Sequence, residues 1–483
     1  MSLGIDLSDL SPEMAGFVLK IGARDTSYQE TSDAVLDAIN FEVGAKQVER
    51  LTHRIGTERT EERDAATAAY MLLPLTERKG KPEGAADFPD DRAAVVLVDG
   101  GRMQLRGDQW GATVAESPSA RSATATPANG EASEKAKEAD EDPSVSDAYH
   151  RGKHWREDKI GLLMTMASEE KASDPCPEVP PVFLNQSRVK KLTREMKGRK
   201  AALVAEPDGP SDDASPPPLT DASASSGDNA MSALSIPEAA PPPTEAERML
   251  GEAARNAKWE PPEMKSKEMM ATRRPWKEFG PMMAASAWAM SFYAATRKAF
   301  VADGAAVNWT LWANLFSSFT PILDIVHAIT YIYAAAMAGR SSADGWPWYD
   351  RWFKLVWNGK VKQVIVEMEA RQKELGLPEK GDGETHPRKV LDAALGYLRN
   401  NQDRMNYPEY RRLGLPITSS YVESAVKQIN RRVKGTEKFW TEEGAEANLQ
   451  LRSDFLSTTN PMPEFWKARQ RRATGLRSYV QSA

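Results

Sequence analysis

The sequence predicts a mixed α/β protein built from several units, on three observations. Two apolar runs end in Asp-Gly, at Ala94-Val95-Val96-Leu97-Val98-Asp99-Gly100 and at Ala299-Phe300-Val301-Ala302-Asp303-Gly304, which is the pattern of buried strands closed by a turn residue. Residues 328–401 form a run of helical periodicity broken by Pro, Gly and Asp clusters. Two stretches, 113–147 and 206–245, carry no apolar periodicity at all.

Taken in order, residues 14–70 read as helical and mostly polar. Within them, residues 32–41, a turn at Glu42-Val43-Gly44, and residues 45–55 have the rhythm of two short helices joined by a tight glycine turn. Two readings stay open for this pair, a DNA-recognising helix-turn-helix and an ordinary helical pair on a core. Residues 91–106 read as a hairpin, with a buried strand to Val98, a turn at Asp99-Gly100-Gly101 and alternation through Met103 and Leu105. Residues 155–167 are a third strand candidate. The Ser/Ala/Glu-rich 113–147 predicts a mobile insertion, and the Pro-rich 206–245 a stiffened, disordered linker.

Beyond the linker the sequence predicts a helix from Trp276 to about Arg297, a strand ending at Asp303 and a short strand around residues 319–325. Helices over 328–338, 349–357, 361–375 and 386–401 follow, and a later helix carries Glu423. The resulting division is a helix-turn-helix-like region at 1–80, a first core half at 88–200, the linker at 206–245, a second core part at 255–328, a helical insertion at 329–415, and a basic C-terminal region at 416–483.

Composition narrows the function classes. At 483 residues the chain exceeds one average domain, and with 41% hydrophobic residues it can bury a core, although a mean hydropathy of −0.55 marks sizeable polar segments. Cys176 is the only cysteine, which excludes an intramolecular disulfide and any Cys-based zinc site within one chain and suits a reducing, cytoplasmic setting. Residues 1–11 lack a basic start followed by an apolar run, so no signal peptide is expected. Residues 304–323 are uncharged and long enough to span a bilayer, but Asn308, Asn314, Ser317, Ser318 and Thr320 would need partners in hydrocarbon, so no membrane span is expected. The formal net charge of −6 is unevenly placed: residues 206–245 hold eight acidic residues and no basic one, whereas residues 345–483 hold 24 Lys and Arg against 17 Asp and Glu. That asymmetry suits an anion-binding C-terminal half.

Three carboxylates on separate elements, Asp99, Asp303 and Glu423, can converge, and such a set binds hard divalent cations such as Mg²⁺. Two ions about 3.5–4 Å apart can drive phosphodiester chemistry. Each residue also has a plain structural reading. Either Asp-Gly pair can be only a turn, and Ser420-Tyr421-Val422-Glu423 matches a capping box in which Glu423 bonds the helix N-terminus. The Glu423 helix carries Glu423, Lys427, Arg431 and Lys434 along one face, which suits a phosphate backbone entering a metal site and equally a solvated charged face. Asp324 and His327, in Asp324-Ile325-Val326-His327, can orient a metal-bound water, a phosphate or each other.

The order and wording of several segments resemble the bacterial insertion-sequence DDE transposases, which have an RNase H-like fold and are related to the Mutator and hAT groups. The segments are Val96-Leu97-Val98-Asp99-Gly100, Trp155-Arg156-Glu157-Asp158-Lys159, Val301-Ala302-Asp303-Gly304-Ala305, Leu323-Asp324-Ile325-Val326-His327, Arg404-Met405-Asn406-Tyr407 and Gly414-Leu415-Pro416-Ile417-Thr418-Ser419-Ser420-Tyr421-Val422-Glu423-Ser424-Ala425. The resemblance implies an RNase H-like mixed sheet in which Asp99 ends the first strand, Asp303 the fourth, and Glu423 lies on the helix after an all-helical insertion. It further implies two Mg²⁺ (or Mn²⁺) ions held by Asp99, Asp303 and Glu423, with Asp324 and His327 matching an Asp-x-x-His element of these relatives. A rival assignment makes Asp324 the second ligand; the Asp-Gly setting shared with Asp99 favours Asp303. On this reading the substrate is DNA, both element ends and target, bound by a homo-oligomer, with Lys427, Arg431, Arg432 and Lys434 holding phosphates. The long acidic inserts depart from a compact transposase.

Overall fold

The computed structural model describes residues 10–24, 27–105, 155–204, 242–256, 260–434 and 438–473. The insertion expected at 113–147, and the linker up to residue 241, lie outside the described residues. Six strands form one sheet: β1 (Arg92–Leu105), β2 (Trp155–Ala167), β3 (Glu263–Thr272), β4 (Arg297–Ala302), β5 (Thr320–Leu323) and the two-residue β6 (Phe439–Trp440). Their order is β3-β2-β1-β4-β5, with β6 beside the end of β1. β2 runs antiparallel to both β1 and β3, whereas β4 and β5 run parallel to β1.

The hairpin expected at 91–106 is replaced by one continuous strand. Residues 93–98 are buried on both faces, and pairing with β2 continues straight through Gly100 and Gly101, opposite Lys159 and Asp158. The two glycines serve close packing rather than a turn, since a Cβ on Gly101 would stand 2.8 Å from both Asp158 carboxylate oxygens. The sequence reading missed β3. Its polar, Met-rich run has little β propensity, and it is a strand because β2 offers it an edge.

Helices cover the sheet. In chain order they are α1 (Pro12–Gly22), α2 (Tyr28–Ile39), α3 (Ala45–Leu72), α4 (Gln186–Val204), α5 (Glu245–Asn256), α6 (Trp276–Ala289), α7 (Ala306–Leu315), α8 (Ile325–Met337), α9 (Ser342–Trp357), α10 (Val361–Leu375), α11 (Pro387–Asn401), α12 (Ser420–Val433), α13 (Glu442–Leu456) and α14 (Met462–Ala473), besides short turns. The α6 helix stops at Ala289, not near Arg297, because Arg297 already opens β4. The linker also ends earlier than expected: Thr244 caps α5, its Oγ1 accepting from Glu247 N at 3.0 Å while its own N–H donates to the Glu247 carboxylate at 2.6 Å. Residues 304–323 divide between α7 and β5, and among the described residues no helix is long and apolar enough to cross a membrane.

One sheet face meets α6, whose Met283 and Phe279 fill the space that a Cβ on Gly161 would need. The opposite face carries Asp99, Gly101, Asp158 and Ile160 by strand register, and α12 packs over it on β1 and β2. The insertion, α8 to α11, stands beyond the end of β5.

The N-terminal pair differs from two short helices. Asn40, with φ 49°, makes the left-handed turn, Ser32 Oγ donates to Val43 O at 2.6 Å, and α3 then continues for 28 residues. It continues because it has something to lie on. Val48, Leu51 and Ile55 share a core with Leu451 of α13 and with Met462 and Phe465 of α14. Two buried arginines seal the junction. Arg452 Nη1 donates to Ala23 O at 2.6 Å, and Arg432 Nε donates to Gly22 O at 2.9 Å, with its guanidinium 4.9 Å from the Tyr28 ring and 5.0 Å from that of Trp440. Cations there meet the carbonyl end of α1. At the crossing of α3 and α13 a Cβ on Gly56 would lie 2.6 Å from Ala447 O. Gly56→Ala therefore forces two backbones apart and should destabilise the protein by about 1–3 kcal/mol, read as a lower denaturation midpoint at unchanged m-value.

Candidate active site

Strand register places the acidic residues. In the parallel pair, Ala93 lies beside Arg297 and Leu97 beside Val301, so carrying the register forward sets Asp99 beside Asp303. The β4–β5 pairing, Ala299 beside Thr320 and Ala302 beside Leu323, sets Asp303 beside Asp324 in the same way. Three aspartates thus form one row across adjacent strands, and α12 lowers Glu423 towards it.

Asp99 is half-buried, and its Oδ1 accepts from Gly100 N at 2.8 Å. Burial, joined by the charges of Asp303 and Glu423, pushes its carboxyl up to about 7 against the opposing pull of the Gly100 amide and His327. Asp303 is held from one side. Its Oδ1 accepts from Ala305 N at 2.9 Å and from Asn308 Nδ2 at 2.8 Å, and its carbonyl accepts from Tyr397 Oη at 2.8 Å. Gly304 follows at φ +97° with the Tyr397 ring where a Cβ would be, 2.7 Å away, so this position requires glycine.

Asp324 is fully buried and accepts from three donors. Oδ1 accepts from Ser419 N at 2.9 Å, while Oδ2 accepts from His327 N at 2.9 Å and meets His327 Nδ1 at 2.6 Å. Burial works against the anion, yet the bond to and charge of His327, with the two amides, hold its carboxyl below the ordinary range. Burial likewise disfavours the His327 cation, but Asp324, joined by Asp303 and Glu423, pushes the imidazole up to about 9. An oxygen of Asp324, a ring nitrogen of His327 and an oxygen of Glu423 lie within 4.8 Å of one another.

Glu423 is 5% exposed. The capping box read from Ser420 to Glu423 does not form: Ser419 is the N-cap and makes no side-chain cap bond, which leaves Glu423 at the fourth helical position, one beyond the box. Of the expected phosphate-binding residues, Arg431 and Lys434 are exposed and Lys427 is half-buried. Arg432 is not in this group; it is 1% exposed and bonded to Gly22, so its role is the junction described above.

Sequence reading passed over Asn308 and Tyr397. Asn308 sits five residues past Asp303, in the first turn of α7, a spacing that could have drawn attention to it. Tyr397 comes from the insertion and no local pattern connects it to Asp303. The donor set suits a hard divalent cation. Three carboxylates from separate elements stand close enough to raise the proton affinity of Asp99, and a cation relieves that repulsion. No family model and no curated protein matches the chain.

The shifts set a pH dependence. A carboxyl raised in the fold binds protons that the unfolded chain has released, so Asp99 makes stability fall as pH rises from about 4 to about 7. His327, raised to about 9, contributes stability that is full below its unfolded value near 6.5 and is lost as pH rises through about 9. In chelator the melting temperature should therefore fall between pH 5 and pH 9 through these groups. Asp158, which burial also pushes up to about 7, drifts in the same direction, so the diagnostic quantity is the difference between the native protein and Asp99→Asn. That variant should lose less stability between about pH 4 and 7, and Mg²⁺ should stabilise the native protein more at pH 8 than at pH 5.

Proposed function

We propose that this protein is a metal-dependent phosphoryl-transfer enzyme acting on DNA, of the insertion-sequence DDE transposase type with an RNase H-like core. The observation that carries the reading is the charge coupling of Asp99 to Asp303 and Glu423 across β1, the end of β4 and α12, beside a group, Asp324, His327 and Glu423, whose ligand atoms lie within 4.8 Å of one another. The strand order β3-β2-β1-β4-β5, antiparallel in its first three strands and parallel afterwards, supports the RNase H-like assignment.

Asp99, Asp303 and Glu423 would hold Mg²⁺ or Mn²⁺. Bound there, the cations supply Lewis acidity for an in-line displacement at phosphorus, lowering the pKa of an attacking water or 3′-hydroxyl and stabilising the leaving oxygen. The protein's own contribution is orientation. Ala305 N–H and Asn308 occupy Asp303 Oδ1 and leave its Oδ2 for a ligand bond. Asp324 is engaged on both oxygens by Ser419 and His327, which favours an orienting role for it, and the imidazolium it holds is a cation within the carboxylate row, suited to a phosphate oxygen. Exposed Arg431 and Lys434, with Lys427, continue the positive surface along α12 towards a DNA backbone, and a homo-oligomer on the DNA would bring two element ends to two such sites.

Two measurements test this. Mn²⁺ titrated into the purified protein should bind more weakly to Asp303→Asn by over the ~10–100-fold typical of an outer-shell change, whereas Asp324→Asn should stay within that range and lose thermal stability instead. The reverse ranking makes Asp324 the ligand. On element-end DNA the native protein should nick only with Mg²⁺ or Mn²⁺, and Glu423→Gln should abolish nicking while keeping duplex affinity. Nicking in chelator overturns the metal mechanism; nicking without strand joining reassigns the protein as a nuclease, and duplex binding without any cleavage as a non-catalytic descendant.

A further inference from the structure

The α4 helix holds seven basic residues, Arg188, Lys190, Lys191, Arg194, Lys197, Arg199 and Lys200, against one acidic residue, Glu195. Its inner side is buried through Val189, Leu192 and Met196. One flank is neutralised within the fold: Arg188 pairs with Glu245 and, at 2.9 Å, with Glu252, and Lys191 pairs with Glu245 at 3.1 Å. Lys190 and Arg194 are different. Both are exposed, and neither makes an ion pair among the described residues. Four positions apart, they stand on one outer face with a rise of about 6 Å, close to two steps of roughly 3.4 Å along one strand of a duplex.

The position of α4 connects that face to the site. It packs on α5 and on α8. Leu250 and Ala254 of α5 wall a cavity opposite Pro416, Ile417 and Tyr421, the segment that leads into the Glu423 helix. The α8 helix begins at Asp324 and His327, and the charge of Arg194 reaches Tyr333 on it. The basic face is therefore carried on α8, which begins at Asp324, and on α5, which faces the segment leading into the Glu423 helix.

We propose that the outer face of α4, through Lys190 and Arg194, is a contact surface for the phosphate backbone of duplex DNA. The occupant follows from charge complementarity and from the match of spacing to a regular polyanion, and the inference rests on the reading of the adjacent site as one that acts on DNA. The surface guides the duplex without reading its sequence, because phosphate contacts carry no base information.

The test uses the full-length protein in chelator, so that cleavage is silent, with a duplex of arbitrary sequence. The slope of log affinity against log salt concentration should be shallower by about 1.8 in the double variant Lys190→Gln, Arg194→Gln, at about 0.9 per lost contact. The charge-conserving pair Lys190→Arg, Arg194→Lys should keep the native slope. Arg188→Gln with Lys191→Gln should lower the melting temperature and leave the slope unchanged, since those cations serve Glu245. An unchanged slope in Lys190→Gln, Arg194→Gln at native melting temperature overturns the surface while metal-dependent nicking would leave the proposed function standing. A native protein that binds no duplex overturns both. A variant that loses binding to phosphatidylserine vesicles and keeps its duplex slope assigns the face to a membrane and overturns the proposal.

Discussion

The pairing register of β1, β4 and β5 is the constraint on which the rest of the site depends. Parallel strands allow no half-step, since a shift by one residue turns every side chain to the other face. With Leu97 beside Val301 and Ala302 beside Leu323, three aspartates far apart in sequence come into one row. The register is pinned by burial: residues 93–98, 299–302 and 322–323 are all closed to solvent, so any slip would expose apolar surface along the centre of the sheet. Two bonds then fix α12 to the row. Ile325 N donates to Ile417 O at 2.9 Å and Ser419 N donates to Asp324 at 2.9 Å, which sets the height at which Glu423 enters.

Crowding carboxylates works against stability, and the surroundings of the row distribute that cost unequally. Asp324 is relieved most, by two backbone N–H groups and the His327 imidazole. Asp303 is relieved on one oxygen by Ala305 and Asn308. Asp99 has the Gly100 amide, and burial, joined by the charges of Asp303 and Glu423, pushes its carboxyl up to about 7. Carboxylates held beside one another in this way repel, and the cation proposed for the row would relieve that repulsion.

Long-range contacts keep these elements rigid. The insertion touches the site through Tyr397, whose ring stacks on Tyr331 at 3.7 Å while its hydroxyl holds the Asp303 carbonyl. It is tied back to the core through Arg411, which donates to Asp174 at 2.8 and 2.5 Å and lies 4.2 Å from the Trp357 ring. At the other end, Arg432 and Arg452 join the N-terminal helices to α12 and α13. Removing one partner of such buried cations leaves a charge without compensation, so the junction is rigid even though each pair adds modest net stability.

Much of the architecture was legible in the sequence because apolar periodicity reports burial directly. The strand at 155–167 and the helix at 361–375 stand where their patterns place them, and Asp99, Asp303 and Glu423 are acidic residues at the ends of such patterns or on them. Two misreadings share one cause. The Asp-Gly-Gly of β1 and the available cation at Arg432 are each correct as local chemistry, and each is overridden by a neighbour remote in sequence: β2 pairing through the glycines, and Tyr28 with Gly22 enclosing the guanidinium. The capping box at Glu423 is lost locally, because the Ser420 amide it would use donates to Thr418 Oγ1 at 3.1 Å. By itself the sequence determined which segments must be buried and which residues can carry charge chemistry, because hydrophobicity and ionisation belong to single residues. The strand order, the row of aspartates, and the partition of cations between structure and surface were decided only by the tertiary structure, since hydrogen bonds, registers and shifted pKa values belong to pairs that the chain brings together only on folding.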